Sequence, residues 1–424
     1  MNQYFFALGT NHTLSKIDIV NMLLRKSVDF KIIEASEEML LISTTTKLAM
    51  EQLMGELGSA AKIGKIFREY SKNEWPEKFL AELSNENLQK ELKGKKFGIS
   101  VYGAGGKFKE LNEVFYSVKD LRKTLGNIWG LREAREQRRI LSTVAVDKNE
   151  LLENGFELVL CVGSKGIYVG KTLAIQDYES YSFRDYSRPR KDPKSGMIPP
   201  KLAKMMINLA GKDKADIFLD PFCGSGTFLQ ELILLGYGNV IGSDAGIVAI
   251  EDTKVNLEWL FKNYPDIKKE DYKINIFKSD ARTLSSKISY KSIDVIVTEP
   301  YLGSPKARYL YPDQIKKEVT KIEELYLSSF REFKKLLKDN GLIIIIFPIF
   351  RFKKQFFKLE ILDALEKLGF MQRNFIEKKI TGEELLKLQV TDKGSVVFFR
   401  PGQSVSREIF VFGHKRYPLL INKI

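Results

Sequence analysis

Asp220-Pro221-Phe222-Cys223-Gly224-Ser225-Gly226-Thr227 lies between a short apolar strand, Ala215 to Leu219, and a helical stretch. Glycines one residue apart let a backbone turn tightly and come close to a ligand. The position matters as much as the composition, because open α/β sheets bind their ligands beyond the C-terminal ends of strands. A lone Gly-x-Gly is an ordinary turn. The flanking Asp, Pro, Phe and Thr make this stretch far more specific.

On both sides of it the pattern is regular. A helix over Pro200 to Leu209 precedes it, and strands follow at Val240 to Ser243, Lys273 to Phe277, Ile293 to Val297 and Leu342 to Phe347, most of them separated by helical segments. Strands alternating with helices predict a mainly parallel sheet covered on both faces, an α/β fold. Two last strands, Ser395 to Phe399 and Glu408 to Phe412, are joined only by a short link, Arg400-Pro401-Gly402-Gln403, and are expected to pair antiparallel.

Three further acids follow strands of this sheet. Asp244 follows the second, and a carboxylate there can accept both hydroxyls of a ribose. Asp280 follows the third, and its oxygen can take an amino group of adenine. Glu299 follows the fourth, in Thr298-Glu299-Pro300-Tyr301-Leu302-Gly303. Each acid alone serves equally well as a helix cap. Their succession in chain order is what points to a nucleoside site.

The 424 residues are too many for one ordinary core, so two or three domains are expected. Hydrophobic residues make up 44% and charged residues 29%, which excludes wholesale disorder. Two Cys and two His leave neither a disulfide framework nor a metal cluster, so no metal is expected. The opening MNQYFFALGT has no signal-peptide pattern and the longest apolar run, Leu342 to Phe347, is too short to span a bilayer; a cytoplasmic protein with no membrane partner is expected. The net charge of +14 makes a polyanion partner plausible. The surplus is spread along the chain, with 31 Lys+Arg against 26 Asp+Glu up to residue 196 and 37 against 28 after it.

Before residue 176 helical and strand patterns mix. A helix is read around Ile17 to Leu24 and strands at Phe30 to Ile33 and Met39 to Ile42. Helices are then expected at Ala60 to Phe67 and Val118 to Leu125, and strands at Phe97 to Val101, Glu157 to Val162 and Gly166 to Val169. The polar, proline-bearing stretch Arg184 to Gly196 reads as a connector. The boundaries are set at 1–58, 59–176, a linker at 177–196, and 197–424. The Phe-rich region Phe347 to Phe357 is read as core or its edge.

With these motifs in place, the sequence resembles the class I S-adenosylmethionine-dependent methyltransferases, and more narrowly the THUMP-containing tRNA guanosine N2-methyltransferases that modify guanosine 10. The resemblance rests on Asp220 to Thr227, on Arg188-Pro189 through Ser195-Gly196-Met197-Ile198-Pro199-Pro200, on Leu141-Ser142-Thr143 through Tyr168-Val169-Gly170-Lys171-Thr172, and on Arg400-Pro401-Gly402-Gln403 with Arg407-Glu408-Ile409. It implies a Rossmann-like, mainly parallel seven-stranded sheet closed by an antiparallel hairpin. A ferredoxin-like N-terminal domain and a THUMP RNA-binding domain would precede it. It implies S-adenosylmethionine as cofactor, with Asp220, Phe222, Gly224, Gly226 and Thr227 at its methionine end, Asp244 and Ala245 at the ribose, Asp280 and Ala281 at the adenine, and Glu299 alongside. It also implies tRNA as partner, a monomer, and in some relatives a small zinc-bearing activator subunit.

The family's catalytic motif is (Asp or Asn)-Pro-Pro-(Tyr or Phe), whose acid and prolyl carbonyl accept hydrogen bonds from the target amine and whose aromatic stacks on the base. This chain departs from it. Aligned without a gap, Glu299 stands for the acid, Pro300 for the first proline, Tyr301 for the second and Leu302 for the aromatic; shifted by one, Tyr301 keeps the aromatic place and Thr298 takes the acid's. The unshifted alignment is preferred because Gly303 then matches a Gly that often follows. Catalytic roles are assigned to Glu299, Pro300 and Tyr301 for transfer to the exocyclic N2 of a tRNA guanosine. Two other readings stay open: a noncatalytic cofactor- and tRNA-binding protein, and a methyltransferase for rRNA guanine or DNA adenine. Contacts to RNA are expected from Lys62, Arg68, Arg122, Lys123, Arg135, Arg139, Arg188 and Arg190, each of which is otherwise a solvated or ion-paired surface charge.

Overall fold

The computed structural model describes residues 1–414 apart from 84–85, 93, 135–137, 192–196, 305–308, 400–402 and 404. The chain divides into two compact units, one of residues 1–180 with 379–388 and one of 181–378 with 389–424.

The first unit is built on an eight-stranded sheet: β1 (Asn2–Leu8), β2 (Phe30–Ala35), β3 (Met39–Thr44), β4 (Ala60–Tyr70), β5 (Lys96–Gly103), β6 (Arg132–Glu133), β7 (Gly155–Val162) and β8 (Ile167–Ile175). Their order is β2-β3-β1-β4-β8-β7-β5-β6, antiparallel except that β5 runs parallel to β6 and β7. Helices α1 (His12–Arg25), α2 (Met50–Glu56), α3 (Glu77–Glu82), α4 (Glu86–Glu91), α5 (Phe108–Trp129) and α6 (Thr143–Lys148) accompany it. The boundary expected near residue 58 falls between α2 and β4, inside one sheet: β4 pairs with β1 on one side and β8 on the other. A distant segment completes this unit, since Ile32 N donates to Thr381 O at 3.0 Å and Lys16 Nζ to Leu386 O at 2.7 Å.

Residues Ala60 to Phe67, expected as a helix, form most of β4. Their apolar spacing fits either period, and pairing on both edges settles it as a strand. Lys62 faces inward there, 1% exposed. Its ammonium pairs with Glu157 of β7 and donates to Leu141 O at 2.7 Å. Ser100 Oγ and Thr172 Oγ1 donate to the same carboxylate, each at 2.5 Å. This closed network joins β4, β5, β7 and β8, and Lys62 has no surface to offer RNA.

The second unit opens with α7 (Tyr178–Tyr186), which the first unit shares, and α8 (Pro200–Leu209). Its sheet contains β9 (Ile217–Asp220), β10 (Asn239–Asp244), β11 (Lys273–Lys278), β12 (Ile293–Thr298), β13 (Leu337–Phe352), β14 (Gln355–Phe357), β15 (Phe370–Gln372), β16 (Val396–Phe398) and β17 (Val405–His414). Helices α9 (Thr227–Leu234), α10 (Ile247–Asn263), α11 (Pro312–Leu336) and α12 (Leu362–Leu368) link them. Seven strands follow the order β11-β10-β9-β12-β13-β17-β15; β14 pairs with β13, and β16 with β17. The first five are parallel, and β17 inserts antiparallel between β13 and β15. The expected terminal hairpin is present, with Val396 to Phe398 facing Arg407 to Ile409.

Helix α11 shows how the sequence covers this sheet. Ile315, Ile322, Tyr326, Phe330 and Phe333 fall on one helical face and are buried. Each contributes on the order of 1.5–3 kcal/mol relative to exposure. Pro312 occupies the first turn, where no backbone donor is needed. Among the described residues no helix is long and apolar enough to cross a membrane.

The Lys62 network gives a direct check. Lys62→Ala leaves the Glu157 carboxylate buried without its counter-ion, so chemical denaturation should show a loss of about 3–5 kcal/mol.

Candidate active site

In the second unit the strand order turns back at β9: β10 lies on one side of it and β12 on the other. The C-terminal ends of these strands therefore diverge around a crevice. A cavity of about 830 Å³ opens there, lined among others by Asp220, Gly224, Asp244, Asp280, Glu299 and Tyr301. Its size suits a nucleoside-sized ligand, since small-molecule sites run to roughly 300–1,000 Å³.

Asp220 ends β9 and is almost wholly buried. Its Oδ1 accepts from Thr298 Oγ1 at 2.6 Å and from Phe222 N at 3.1 Å. Burial raises its pKa to about 7 despite both donors. The loop behind it turns through Gly224 (φ 53°) and Gly226 (φ 85°), a conformation L side chains rarely adopt. A Cβ at Gly226 would also sit 3.0 Å from the Thr253 methyl. Thr253 Oγ1 donates to Gly224 O at 2.7 Å, and Asn256 Nδ2 to Ser225 O at 2.8 Å, so α10 holds the loop.

Asp244, at the end of β10, accepts Gly224 N at 3.1 Å on one oxygen and Gly246 N at 2.8 Å on the other. Each oxygen keeps a second lone pair for a ligand. Asp280 lines the same cavity, but its carboxylate is taken in a fork by Arg282, at 2.9 Å (Nε) and 2.6 Å (Nη2). Those hydrogen bonds hold its pKa below the usual carboxylate range. Arg282 thus shares the carboxylate that the sequence offers to an adenine amino group.

Glu299, just past β12, is nearly buried and faces Arg407 of β17. Arg407 Nε lies 2.5 Å from one carboxylate oxygen and Nη2 3.3 Å from the other. Burial outweighs the charge and hydrogen bond of Arg407, so the Glu299 pKa stands above its ordinary value. Gln403 Oε1 accepts from Arg407 Nη1 at 3.3 Å. Arg407 was not singled out as a site residue from sequence. Its strand position says only that it lies beside β13, and nothing local marks its partner 108 residues away.

Tyr301 is 48% exposed; its hydroxyl donates to Glu318 at 3.0 Å, and burial with that bond raises its pKa to about 12. Tyr326 from α11 donates to Tyr301 O at 3.1 Å, fixing the loop backbone. Gly303 has φ 103°, and a Cβ there would lie 2.6 Å from Phe350 Cζ, so the loop needs glycine at this point.

Several of the basic residues expected at RNA are engaged otherwise. Arg188 is 2% exposed and donates to Thr227 Oγ1 at 2.6 Å, behind the glycine loop. Arg184, at the start of the expected connector, is buried against Glu231 at 2.6 Å and over the Tyr181 ring. Arg68 is a strand residue paired with Glu82, Arg122 pairs with Glu133, and Arg139 pairs with Glu38; all three are partly exposed. Lys123 and Arg190 are exposed, Arg190 with Asp252 at 3.6 Å. Arg135 lies outside the described residues. Among the described residues no group of three or more His, Cys, Asp or Glu is arranged to hold a metal.

The buried Asp220 makes a pH signature. A carboxyl whose pKa is raised on folding favours the folded state fully below its unfolded value, near 3.8, and that contribution is lost as pH rises towards about 7. Asp220→Asn keeps an acceptor for Thr298 and removes the ionisation. The variant should lack this slope and unfold at a higher temperature than the parent above pH 7, measured by calorimetry across pH.

Comparison with known proteins agrees with this geometry. A family model described as an RMKL-like methyltransferase domain matches residues 187–372, and one described as DNA methylase matches residues 24–254, more than half of the chain. A tRNA (guanine(10)-N2)-dimethyltransferase of Methanocaldococcus jannaschii is 31% identical over 184 residues, 43% of this chain and 46% of that protein. The protein of the same name from Methanothermobacter thermautotrophicus is 30% identical over 191 residues, 43% and 50% of the two chains. The chain thus matches about half the length of these curated relatives. Among solved structures, TrmN from Thermus thermophilus aligns over 98% of this chain and 100% of its own, with a TM-score of 0.55 and 14% identity. A possible methylase from Clostridium difficile 630 aligns over 97% and 98%, with a TM-score of 0.51 and 13% identity. With the glycine loop, the strand order and both family matches in agreement, the chain belongs to the class I S-adenosylmethionine-dependent methyltransferases.

Proposed function

We propose that this enzyme methylates the exocyclic N2 amine of a guanosine in tRNA, at position 10. The observation that carries the reading is the gathering of Asp220, Asp244 and Glu299 with Pro300 and Tyr301 around one cavity at the switch point of the sheet. The relatives' named activity supplies the substrate class. The N-terminal unit serves as the RNA-binding part, of THUMP type, with Arg68, Arg122, Lys123 and Arg139 as its candidate contacts and Arg190 as one from the second unit. The protein acts in the cytoplasm as a monomer, and a small activator subunit is a natural addition to the assay.

The cavity fits the cofactor. Asp244 offers two carboxylate lone pairs to a ribose, and the loop from Phe222 to Thr227, with Asp220, cradles the methionine end. Ala245 and Ala281 leave room beside the rings. Asp280 takes an adenine amino group on the lone pairs that Arg282 leaves free. When bound, S-adenosylmethionine supplies an electrophilic methyl on a sulfonium. The anionic Asp220 form is favoured beside that positive charge.

Glu299 and the Pro300 carbonyl accept the two N–H groups of the target amine and turn its lone pair towards the cavity. Arg407 occupies the carboxylate from behind, which favours the anion and fixes its plane. That anion is also the acceptor for the proton the amine gives up as its nitrogen gains the methyl. Tyr301, half-exposed at the mouth, lines the base pocket.

Nucleoside mass spectrometry tests this. Incubated with unmodified tRNA and cofactor, with the activator added, the chain should place N2-methylguanosine at one position. Absence of methyl from tRNA, or N6-methyladenine formed in DNA instead, would sink the reading. Within it, Asp244→Ala should weaken cofactor binding at least tenfold, from the loss of charge-assisted bonds and the Gly224 anchor. Glu299→Gln should cut turnover by about a hundredfold with cofactor affinity retained. Unchanged turnover in Glu299→Gln would pass the acceptor role to Thr298.

A further inference from the structure

Phe350-Arg351-Phe352-Lys353-Lys354-Gln355-Phe356-Phe357-Lys358 is aromatic and basic without a single acid. It overlaps the Phe-rich region Phe347 to Phe357, which the sequence places at the core or its edge, and Phe350 is indeed buried. Beyond Phe350 the chain leaves the core. β13 turns back as β14, pairing Arg351 with Phe356 and Phe352 with Gln355. Phe356 is 61% exposed, and Arg351, Lys353 and Lys354 are exposed around it.

The turn itself is unusual. Lys353 has φ 55°, where such two-residue turns favour Asn or Gly. Turn geometry alone gives no reason for two lysines at the tip. Nor does packing give a reason for a phenylalanine directly opposite an arginine on the open face.

The hairpin stands beside the reaction site. Its base, Phe350, is the ring that Gly303 packs against, four residues after Glu299. The tip lies about 10 Å further on, at roughly 3.3 Å per residue. Tyr311, 70% exposed at the start of α11, brings its ring 6.3 Å from that of Phe352, and Lys353 Nζ lies 5.6 Å from the same ring. The nearby acid Glu318 is engaged by Tyr301 and Ser304, which leaves Asp313 as an exposed acid near Tyr311.

We propose that the open face of the β13–β14 hairpin, where Phe356 lies opposite Arg351, together with the lysines at its tip, is a stacking platform for unpaired RNA next to the target nucleotide. Exposed rings interleaved with cations suit single strands, because every base has a face to stack and every step carries a phosphate. The inference rests on the proposed RNA methylation and adds where the methyltransferase unit itself grips the substrate.

The test uses the full chain with a fluorescein-labelled single-stranded oligoribonucleotide and a tRNA transcript, read by anisotropy. Phe356→Leu should bind about tenfold more weakly and Phe356→Trp should retain affinity. Lys353→Gln with Lys354→Gln should flatten the salt dependence by about one to two units of log–log slope. Cofactor affinity should be unchanged throughout. Parent-like RNA binding by Phe356→Leu and by the lysine variant overturns the proposal. So does a binding loss that Phe356→Trp shares or that extends to the cofactor, because a folding defect produces both. A parent chain that binds RNA through the hairpin yet transfers no methyl would remove the functional reading and leave the platform standing.

Discussion

The hydrogen bond from Thr298 Oγ1 to Asp220 Oδ1 closes the sheet at the point where its strand order reverses. β9 and β12 are neighbours in the sheet, yet the two residues stand 78 positions apart in the chain. The bond sets the end of the cofactor loop against the start of the Glu299 loop. Its acceptor is buried deeply enough to titrate near 7. One oxygen of Asp220 is thus spent on positioning, in surroundings where burial makes a negative charge costly. A site arranged in this way reads the charge of its ligand as well as its shape.

The same economy of carboxylates runs round the cavity. Asp244 holds two backbone amides, Asp280 holds Arg282, and Glu299 holds Arg407. Each acid does structural work with some of its lone pairs, and on the proposed reading the rest take the ligand. The Glu299 pair has a particular consequence for the departure from the Asp-Pro-Pro-Tyr pattern. Glutamate is one methylene longer than aspartate, and an arginine gripping both its oxygens fixes where the longer side chain ends. The substitution is matched by a partner from another strand.

Much of this was legible in the sequence because it is local. The glycine loop, the four post-strand acids and the strand–helix alternation are carried by neighbours in the chain, and α8 falls on the residues expected, Pro200 to Leu209. What was not legible is long-range. Ala60 to Phe67 has apolar residues at spacings that serve a helix or a doubly paired strand, and only β1 and β8 decide between them. Lys62 and Arg188 look like surface charges until Glu157 and Thr227 are found opposite them. Arg407 is the sharpest case, since its partner is named by the β13–β17 register and by nothing in its own surroundings.

Net charge misleads in the same way. Of the lysines and arginines that gave the chain its basic balance, several neutralise buried acids and cannot attract phosphate. The charge that remains for a polyanion is the exposed part, and its placement matters more than its sum. Part of it stands on the β13–β14 hairpin, where Arg351, Lys353 and Lys354 are exposed and Lys353 Nζ lies 5.6 Å from the Phe352 ring. Phosphate contacts alone would hold an RNA without fixing its bases. Rings alone would stack bases without drawing the strand in. Their combination on a two-stranded ribbon, whose base Phe350 packs against Gly303 of the loop that bears Glu299, would on the proposed reading give a flanking nucleotide a defined place relative to the acceptor.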